Sequence, residues 1–190
     1  MMNFSDDIAA CLDVLHNGGL ILYPTDTIWG IGCDASNAEA VASIYRLKKR
    51  SDEKSMIVLL ADEQEIPRYV SQTNVQVFDY IKGVHNPTTF IYEGGKGVAQ
   101  NMIQQDGTIA IRICKDPFCL ALIEAFGKPI VSTSANISGY PPPALFEDID
   151  LVIKNGVDYI VKHRQDDINP SLPSSIIKWN ADGTVTVIRP

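Results

Sequence analysis

"TIAIRICKDPFCLALIEAFGKPIVST", residues 108–133, is the stretch that most clearly indicates the fold. Residues 108–113 alternate between the two faces of a β-strand. Asp116-Pro117 then supplies an N-cap carboxylate and a first-turn proline, and Gly127 can end the helix that they begin. A second apolar strand follows at once. Strand, helix and strand at this spacing predict a crossover unit of an α/β fold.

The rest of the chain alternates between helical and strand patterns in the same way. Helical periodicity is found near residues 5–15, 37–47 and 75–81, and short strand patterns are found at residues 20–23, 56–60 and 88–92. The C-terminal part predicts a hairpin of strands 174–179 and 184–188. There is no internal repeat, low-complexity tract or linker. We therefore predict one mixed α/β domain over residues 1–190.

Composition narrows the class of protein. Apolar residues make up 45% of the 190-residue chain, which is ordinary for a globular domain. No apolar run approaches the roughly 18 residues of a membrane span, and the acidic N-terminus does not resemble a signal peptide. The four cysteines have no metal-ligand or disulfide spacing. We expect a cytoplasmic protein that has no membrane association and whose thiols are buried.

The net charge of −7 disfavours a general nucleic-acid binder, so any polyanion contact needs a local basic cluster. The main candidate is "RLKKRSDEKS", residues 46–55, which could be a solvated helix end or an anion site. Lys48 and Arg50 are two apart and cannot share one helical face, so we expect the helix to end between them. Both would then be exposed and, with Lys54, could bind a triphosphate.

Polar residues follow two predicted strands in unusual number. "VSTSANISG", residues 131–139, has five hydrogen-bonding side chains where a turn needs one or two. "YPTDTIWGIGCDA", residues 23–35, has Thr25 and Thr27 before two glycines; either threonine could face a ligand. Its G-x-G-x-x-A pattern is not placed directly between a strand and a helix, which argues against dinucleotide binding.

Two arginines lie within apolar strand patterns. Arg112 stands between isoleucines, and Arg189 stands next to the last residue. Each could be an edge residue that faces solvent, or could reach into a cleft to pair with an anionic group.

Several familiar catalytic motifs are absent from the sequence. It has no Walker A loop, no H-E-x-x-H and no G-x-S-x-G, and its three histidines are scattered. Cys33 could be a nucleophile, although no histidine lies near it in any motif.

Taken together, these segments resemble the YrdC family, the threonylcarbamoyl-AMP synthases. The resemblance extends over almost the whole chain, and two motifs are its most specific part. These are K-x-R, here Lys48-Lys49-Arg50, and S-x-N, here Ser134-Ala135-Asn136. "YPTDT", residues 23–27, precedes them in the expected order.

The resemblance implies a nucleotidyltransferase that joins L-threonine, bicarbonate and ATP into L-threonylcarbamoyladenylate and releases pyrophosphate. Mg²⁺ would accompany the nucleotide. The product would serve threonylcarbamoyladenosine modification of tRNA through downstream transfer proteins, and tRNA or double-stranded RNA is a further possible partner. The implied fold is a single domain with a twisted, mixed parallel and antiparallel sheet and flanking helices around a large cleft.

The resemblance also assigns roles to residues. Those expected to contact the nucleotide are Lys48, Arg50, Ser132, Ser134, Asn136 and Arg189. Those expected to contact the amino acid are Thr25, Thr27, Lys54, Thr89, Arg112 and Ser132. No protein nucleophile is needed, and catalysis by positioning and charge stabilisation is assigned to Lys48, Arg50, Ser134 and Asn136.

The chain departs from the family pattern at several positions. Ser51 and Ser55 replace usual prolines, Pro142 replaces a common serine, and Asp26 replaces a common glutamate. Three other functions remain open: a YciO-like paralogue without synthase activity, a module that binds double-stranded RNA or tRNA, and an O-carbamoyltransferase.

Overall fold

The computed structural model describes residues 4–49, 56–71, 75–180 and 184–190. The helices in these ranges are α1 (Ser5–His16), α2 (Ala38–Lys48), α3 (Ile66–Tyr69), α4 (Val75–Gly83), α5 (Pro117–Phe126) and α6 (Leu151–Asn155). The strands are β1 (Ile21–Tyr23), β2 (Gly30–Gly32), β3 (Ile57–Leu60), β4 (Thr88–Tyr92), β5 (Ile109–Ile113), β6 (Ile130–Ser134), β7 (Tyr159–Ile160), β8 (Ser175–Trp179) and β9 (Val185–Arg189).

All nine of these strands belong to one sheet with the order β7-β1-β2-β6-β3-β5-β4-β8-β9. Three neighbouring pairs are parallel, namely β1–β7, β3–β5 and β4–β8, and the other pairs are antiparallel. The mixed α/β sheet that the sequence predicts is therefore confirmed. The predicted C-terminal hairpin is also confirmed, as β8 and β9, while part of its turn, residues 181–183, lies outside the described residues.

The predicted crossover between residues 108 and 133 is wrong in its geometry. β5 and β6 do not pair with each other, because β3 lies between them. Ile57 of β3 faces Ala110 in a parallel pair and Ser132 in an antiparallel pair, so β5 and β6 run in opposite directions. Spacing along the chain gives the lengths of strands and helices, but it does not say which strand inserts between two others.

The helix ends follow the local chemistry of the sequence. The Asn37 side chain accepts hydrogen bonds from the first backbone N–H groups of α2, and Asp116 accepts one from Cys119 at the start of α5. Gly127 ends α5 with a φ of 69°, a left-handed conformation that glycine adopts without steric cost. Helix α2 ends at Lys48, and Lys49 has a φ of 50°, so the predicted end between Lys48 and Arg50 is confirmed.

The core lies between the sheet and the apolar faces of the helices. Helix α5 buries a stripe at i, i+4 and i+8, Phe118, Leu122 and Phe126, and packs against α1. All four cysteines are free and buried, as expected. No helix of the described ranges is both long and apolar enough to cross a membrane.

Candidate active site

An open cavity of about 250 Å³ lies over one face of the middle of the sheet. In-register neighbours form its floor: Ser132 faces Ile57, Ile57 faces Ala110, and Ala110 faces Ile91. Paired residues point to the same face of a sheet, so this row fixes which side chains of each strand reach the cavity. The cavity is also bounded by Gly30, by Pro142 and by the terminal strands β8 and β9.

Arg112 is the most deeply buried charge that faces this cavity, with 3% of the residue exposed. Its Nη1 donates to Thr27 Oγ1 at 3.2 Å, and its Nη2 forms an ion pair with Asp26 Oδ1 at 3.1 Å. That ion pair lacks the alignment of a hydrogen bond. Arg112 Nε and Nη2 therefore have no hydrogen-bond partner among the described residues. A buried guanidinium whose donors lack partners can complete its hydrogen bonds with an anionic ligand.

Thr25 and Thr27 have different roles, which strand alternation could not reveal because residues 24–29 are not a strand. Thr25 Oγ1 donates to the Ile28 carbonyl at 2.8 Å and accepts from the Thr27 backbone N–H at 3.0 Å. Thr25 is 1% exposed and does not line the cavity, whereas Thr27 does. The hydroxyl of Thr25 thus holds the turn that presents Thr27.

A second guanidinium faces the cavity from β9. Arg189 donates from Nε and Nη2 to the Ser174 carbonyl oxygen, at 2.8 and 2.6 Å. Ser174 Oγ lies 2.9 Å from Thr89 Oγ1, so β9, β8 and β4 are linked at the cavity wall. Burial, and then the positive charge of Arg112, lower the pKa of Arg189. We call Thr27, Thr89, Arg112, Ser174 and Arg189 the arginine wall.

The position of the hydroxyl-bearing residues at the end of β6 explains part of their number. Ser132, Thr133 and Ser134 all line the cavity. Gly30 of β2 pairs with Ser134, and a Cβ atom at Gly30 would lie 3.1 Å from Ser132 Oγ. Glycine at this position therefore keeps the space above the serines open.

Lys48 lies in a different place from the one that the sequence suggested. We expected it at an exposed helix end, but it is 1% exposed, so that expectation is wrong. Its Nζ donates to the Ser134 carbonyl, to the Asn136 carbonyl at 2.6 Å and to Asn136 Oδ1 at 3.3 Å. The position had a signal in the sequence: Val41, Ile44 and Lys48 are spaced i, i+3 and i+7, on the apolar face of α2.

Asn136 also does not line the cavity. Its Nδ2 donates to the Tyr140 carbonyl at 2.5 Å and to the Ile137 carbonyl at 3.2 Å, so its side chain holds the loop that follows β6. It lines a separate open depression of about 440 Å³. We call residues 134–140 the lysine loop, after the lysine that it surrounds.

The remaining predicted site residues fall into two groups. Arg50 and Lys54 lie outside the described residues, and their assignment to phosphates and to the amino acid stays a prediction. Pro142, where the family commonly has serine, lines the cavity without a hydroxyl to offer. Cys33 is fully buried, and burial together with Asp34 raises its pKa, which disfavours a nucleophilic role.

Three residues of the site were missed by sequence reasoning. Asp26 was noted only as a departure, yet it is the ion-pair partner of Arg112. Ser174 has no motif, and only the pairing of β4 with β8 brings it to Thr89. Arg164 donates from Nη1 to the Thr25 carbonyl and to Asp116 Oδ2, both at 3.0 Å, and so ties the Thr25–Thr27 turn to the start of α5.

Comparison with known proteins gives a consistent family assignment. The model of the family described as "Sua5_yciO_yrdC: Telomere recombination" matches residues 13–190. The threonylcarbamoyl-AMP synthase of Escherichia coli strain K12 is 33% identical over 147 residues, which is 76% of this chain and 77% of that protein.

Two solved structures have a similar fold. E. coli YciO superposes with a TM-score of 0.83 at 27% identity, covering 97% of this chain and 88% of that one. P. abyssi Sua5 complexed with L-threonine superposes with a TM-score of 0.83 at 22% identity, covering 96% of this chain. This chain spans about half of the Sua5 chain, 53% of its length.

Proposed function

The chain belongs to the Sua5/YciO/YrdC family, and on that premise we propose that it is an L-threonylcarbamoyladenylate synthase. It would join L-threonine, bicarbonate and ATP, release pyrophosphate, and supply the product to proteins that transfer it to tRNA. The observation that carries the proposal is Arg112, a buried residue that lines a cavity with several hydroxyl groups and whose Nε and Nη2 have no hydrogen-bond partner among the described residues.

Within the arginine wall, Arg112 has the geometry to bind the carboxylate of the amino acid. Nε and Nη2 form one edge of a guanidinium, and such an edge binds a carboxylate through two parallel hydrogen bonds. Thr27 accepts from Nη1 on the other side of the same guanidinium, and it also lines the cavity. We therefore assign the carboxylate of L-threonine to Arg112.

The nucleotide would lie toward β6 and β9. Ser132 and Ser134 present hydroxyl groups, and Arg189 supplies the second positive charge of the cavity. The pKa of Arg189 is lowered partly by Arg112, so the two charges act on each other across the cavity. An anionic ligand between them would relieve this repulsion. Arg50 and Lys54 would add to the phosphate and amino-acid contacts.

The chemistry requires positioning rather than a protein nucleophile. The threonine amine and bicarbonate form a carbamate with loss of water, a carbamate oxygen attacks the α-phosphorus of ATP, and pyrophosphate leaves. Fixed hydroxyl groups and guanidiniums can hold the carbamate and the triphosphate in line and stabilise the charge that develops on the phosphates.

Mg²⁺ would be held mainly by the phosphate oxygens of ATP. No group of three acidic, histidine or cysteine side chains in the described ranges could hold a metal ion, and Asp26 is already paired with Arg112. Once bound, the ion would neutralise charge on the phosphates.

The first test is pyrophosphate release by the purified protein with ATP, Mg²⁺ and bicarbonate, with and without L-threonine, and with L-serine as the control amino acid. We expect release that requires both threonine and bicarbonate. Folded protein that binds ATP but releases nothing would contradict the synthase and favour a YciO-like paralogue. Tight, steeply salt-dependent tRNA binding without ATP turnover would favour the RNA-binding alternative.

A further inference from the structure

We propose that Lys48 is a positioning residue, which orders the lysine loop beside the cavity and does not itself bind the triphosphate. The inference rests on the proposed function for what the loop acts upon. It departs from the assignment of the K-x-R lysine to phosphate binding that the motif suggested.

The first observation is where the ammonium group points. Among the described residues, Lys48 Nζ donates to three oxygen atoms of Ser134 and Asn136, and Lys48 is 1% exposed. An ammonium has three donors, so these contacts can use its whole capacity. A lysine that binds phosphate would instead direct at least one N–H toward the cavity, which Lys48 does not line.

The second observation is that the same residue holds the loop through its backbone. The Ser138 N–H donates to the Lys48 carbonyl at 2.9 Å, while the Lys48 side chain binds the loop two to four residues earlier. The end of α2 therefore contacts the lysine loop on both sides of Asn136, at Ser134 and at Ser138. Asn136 completes the arrangement by accepting from Lys48 and donating to the Tyr140 carbonyl.

The third observation is what the loop carries. It begins with Ser134, which lines the cavity, and its Ala135 N–H donates to the Trp29 carbonyl at 3.1 Å, next to Gly30. A shift of the loop would move Ser134 relative to Ser132 and to the glycine that keeps the cavity open. The K-x-R and S-x-N motifs are thus linked by hydrogen bonds, because the lysine of the first motif donates to the serine and asparagine of the second.

The proposal predicts a separation of rate from affinity. In Lys48→Met, the loop loses its anchor, and pyrophosphate release should fall by about tenfold to a hundredfold because the reacting groups are misaligned. The dissociation constant for ATP, measured by calorimetry, should rise by only about threefold, because the Ser134 contact is loosened but no contact between an ammonium group and phosphate is lost. A tenfold or greater loss of ATP affinity would overturn the proposal.

The substitution Lys48→Arg gives a second discrimination. A guanidinium keeps the charge but cannot direct its donors at three oxygens that surround one nitrogen. Under the proposal Lys48→Arg fails to restore the rate, whereas a residue that only supplied charge to phosphates would be largely restored. Lys49→Met is the matched control, because it removes the neighbouring, exposed charge and should retain the wild-type rate.

Amide hydrogen exchange of the ligand-free protein makes the test independent of the synthase assignment. We expect faster exchange at Ala135, Asn136 and Ser138 in Lys48→Met than in wild type or Lys49→Met, with thermal unfolding followed to show that both variants are folded. Unchanged exchange at these amides would overturn the proposal even if the wild type were an active synthase. Faster exchange with retained ATP binding would support it even if the wild type released no pyrophosphate.

Discussion

The arginine wall and the lysine loop both bring positive charge close to one cavity, but they use it in opposite ways. Arg112 lines the cavity and leaves Nε and Nη2 without hydrogen-bond partners among the described residues. Lys48 is equally buried, and its Nζ is surrounded by loop oxygens. A buried charge must be paired or hydrogen-bonded, so the one with open donors indicates where a ligand completes the structure.

The difference also follows from the two side chains. A guanidinium has five donors in a planar fork, so Arg112 can bond Thr27 through Nη1 and pair with Asp26 through Nη2 while further N–H groups remain for a ligand. An ammonium has three donors around one nitrogen, which suits a ring of carbonyl oxygens at the end of a helix. Residue type thus decides which charge can serve both the fold and a ligand.

The largest effect that the comparison predicts is at Arg112. In Arg112→Lys the charge stays and the two-donor edge is lost, so kcat/KM for L-threonine should fall by about a hundredfold, which corresponds to about 3 kcal/mol for hydrogen bonds to a charged group. The dissociation constant for ATP should change much less. Pyrophosphate release against threonine concentration, with ATP calorimetry, measures both.

Arg68→Lys, the same change at an exposed arginine whose ion pair with Glu65 spans 3.8 Å, is the matched control and should retain wild-type kinetics. Equal losses of threonine and ATP affinity in Arg112→Lys would contradict the assignment of the threonine carboxylate to Arg112.

Substitutions of Thr25 and Thr27 should distinguish an effect on stability from an effect on threonine binding. Thr27→Val removes a hydroxyl group of a cavity-lining residue that also accepts from Arg112 Nη1, and we expect KM for L-threonine to rise by about fivefold, near 1 kcal/mol for one hydrogen bond. Thr25→Val leaves the Ile28 carbonyl and the Thr27 N–H without their partner, and should lower the free energy of unfolding by about 1–3 kcal/mol.

Urea unfolding and threonine kinetics of both valine variants provide the measurement. If Thr25→Val were as stable as wild type and Thr27→Val were not, the roles given to the two hydroxyl groups would have to be exchanged.

A smaller effect is expected at Arg189, which is fixed to the Ser174 carbonyl and faces the nucleotide end of the cavity. Arg189→Lys keeps the charge but loses the fork, so ATP affinity should fall by about threefold to tenfold. Threonine affinity should be nearly unchanged. Calorimetric titration with each ligand separates the two, and a loss confined to threonine would place the amino acid at this end instead.

The smallest effect on activity is expected at Asp7, which belongs to α1 and does not line the cavity. Burial raises the pKa of this carboxyl, but hydrogen bonds from the Lys162 N–H, the Tyr159 hydroxyl and the His163 N–H outweigh it, and the net pKa is lowered. A lowered folded-state pKa stabilises the protein above the unfolded value of about 3.9, and this stability is lost as the pH falls through the folded pKa.

Asp7→Asn should therefore be less stable than wild type at pH 7 by about 1–3 kcal/mol and should lose less additional stability on acidification. Urea unfolding between pH 7 and pH 3 tests this. Pyrophosphate release at pH 7 should match wild type, and a large loss of activity would show that the site depends on the α1 side of the molecule.

The ends of several helices could be predicted from the sequence, because they depend on residues that are close together in the chain. Asn37, Asp116 and Gly127 mark helix ends because capping and left-handed geometry involve only neighbouring residues. The order of the strands could not be read in this way. β3 separates β5 from β6, and nothing in the spacing of residues 108–133 records a strand that comes fifty residues earlier.

The candidate site also has features that the sequence predicted and features that it did not. Of the K-x-R and S-x-N residues, Ser134 lines the cavity and Lys48 and Asn136 do not. The exposure of Lys48 was misjudged because its charge was weighed above its place on the apolar face of α2. Ser174 was missed because its partner Thr89 lies 85 positions away.

The sequence by itself determined the mixed α/β class and the ends of several helices, since capping and periodicity act over a few residues, and its short motifs indicated the family. The tertiary structure decided which charges are available to a ligand. Whether a buried cation is free to bind depends on the oxygens that surround it. Those oxygens come from strands and loops distant in sequence: Thr27 and Asp26 at Arg112, and the lysine loop at Lys48.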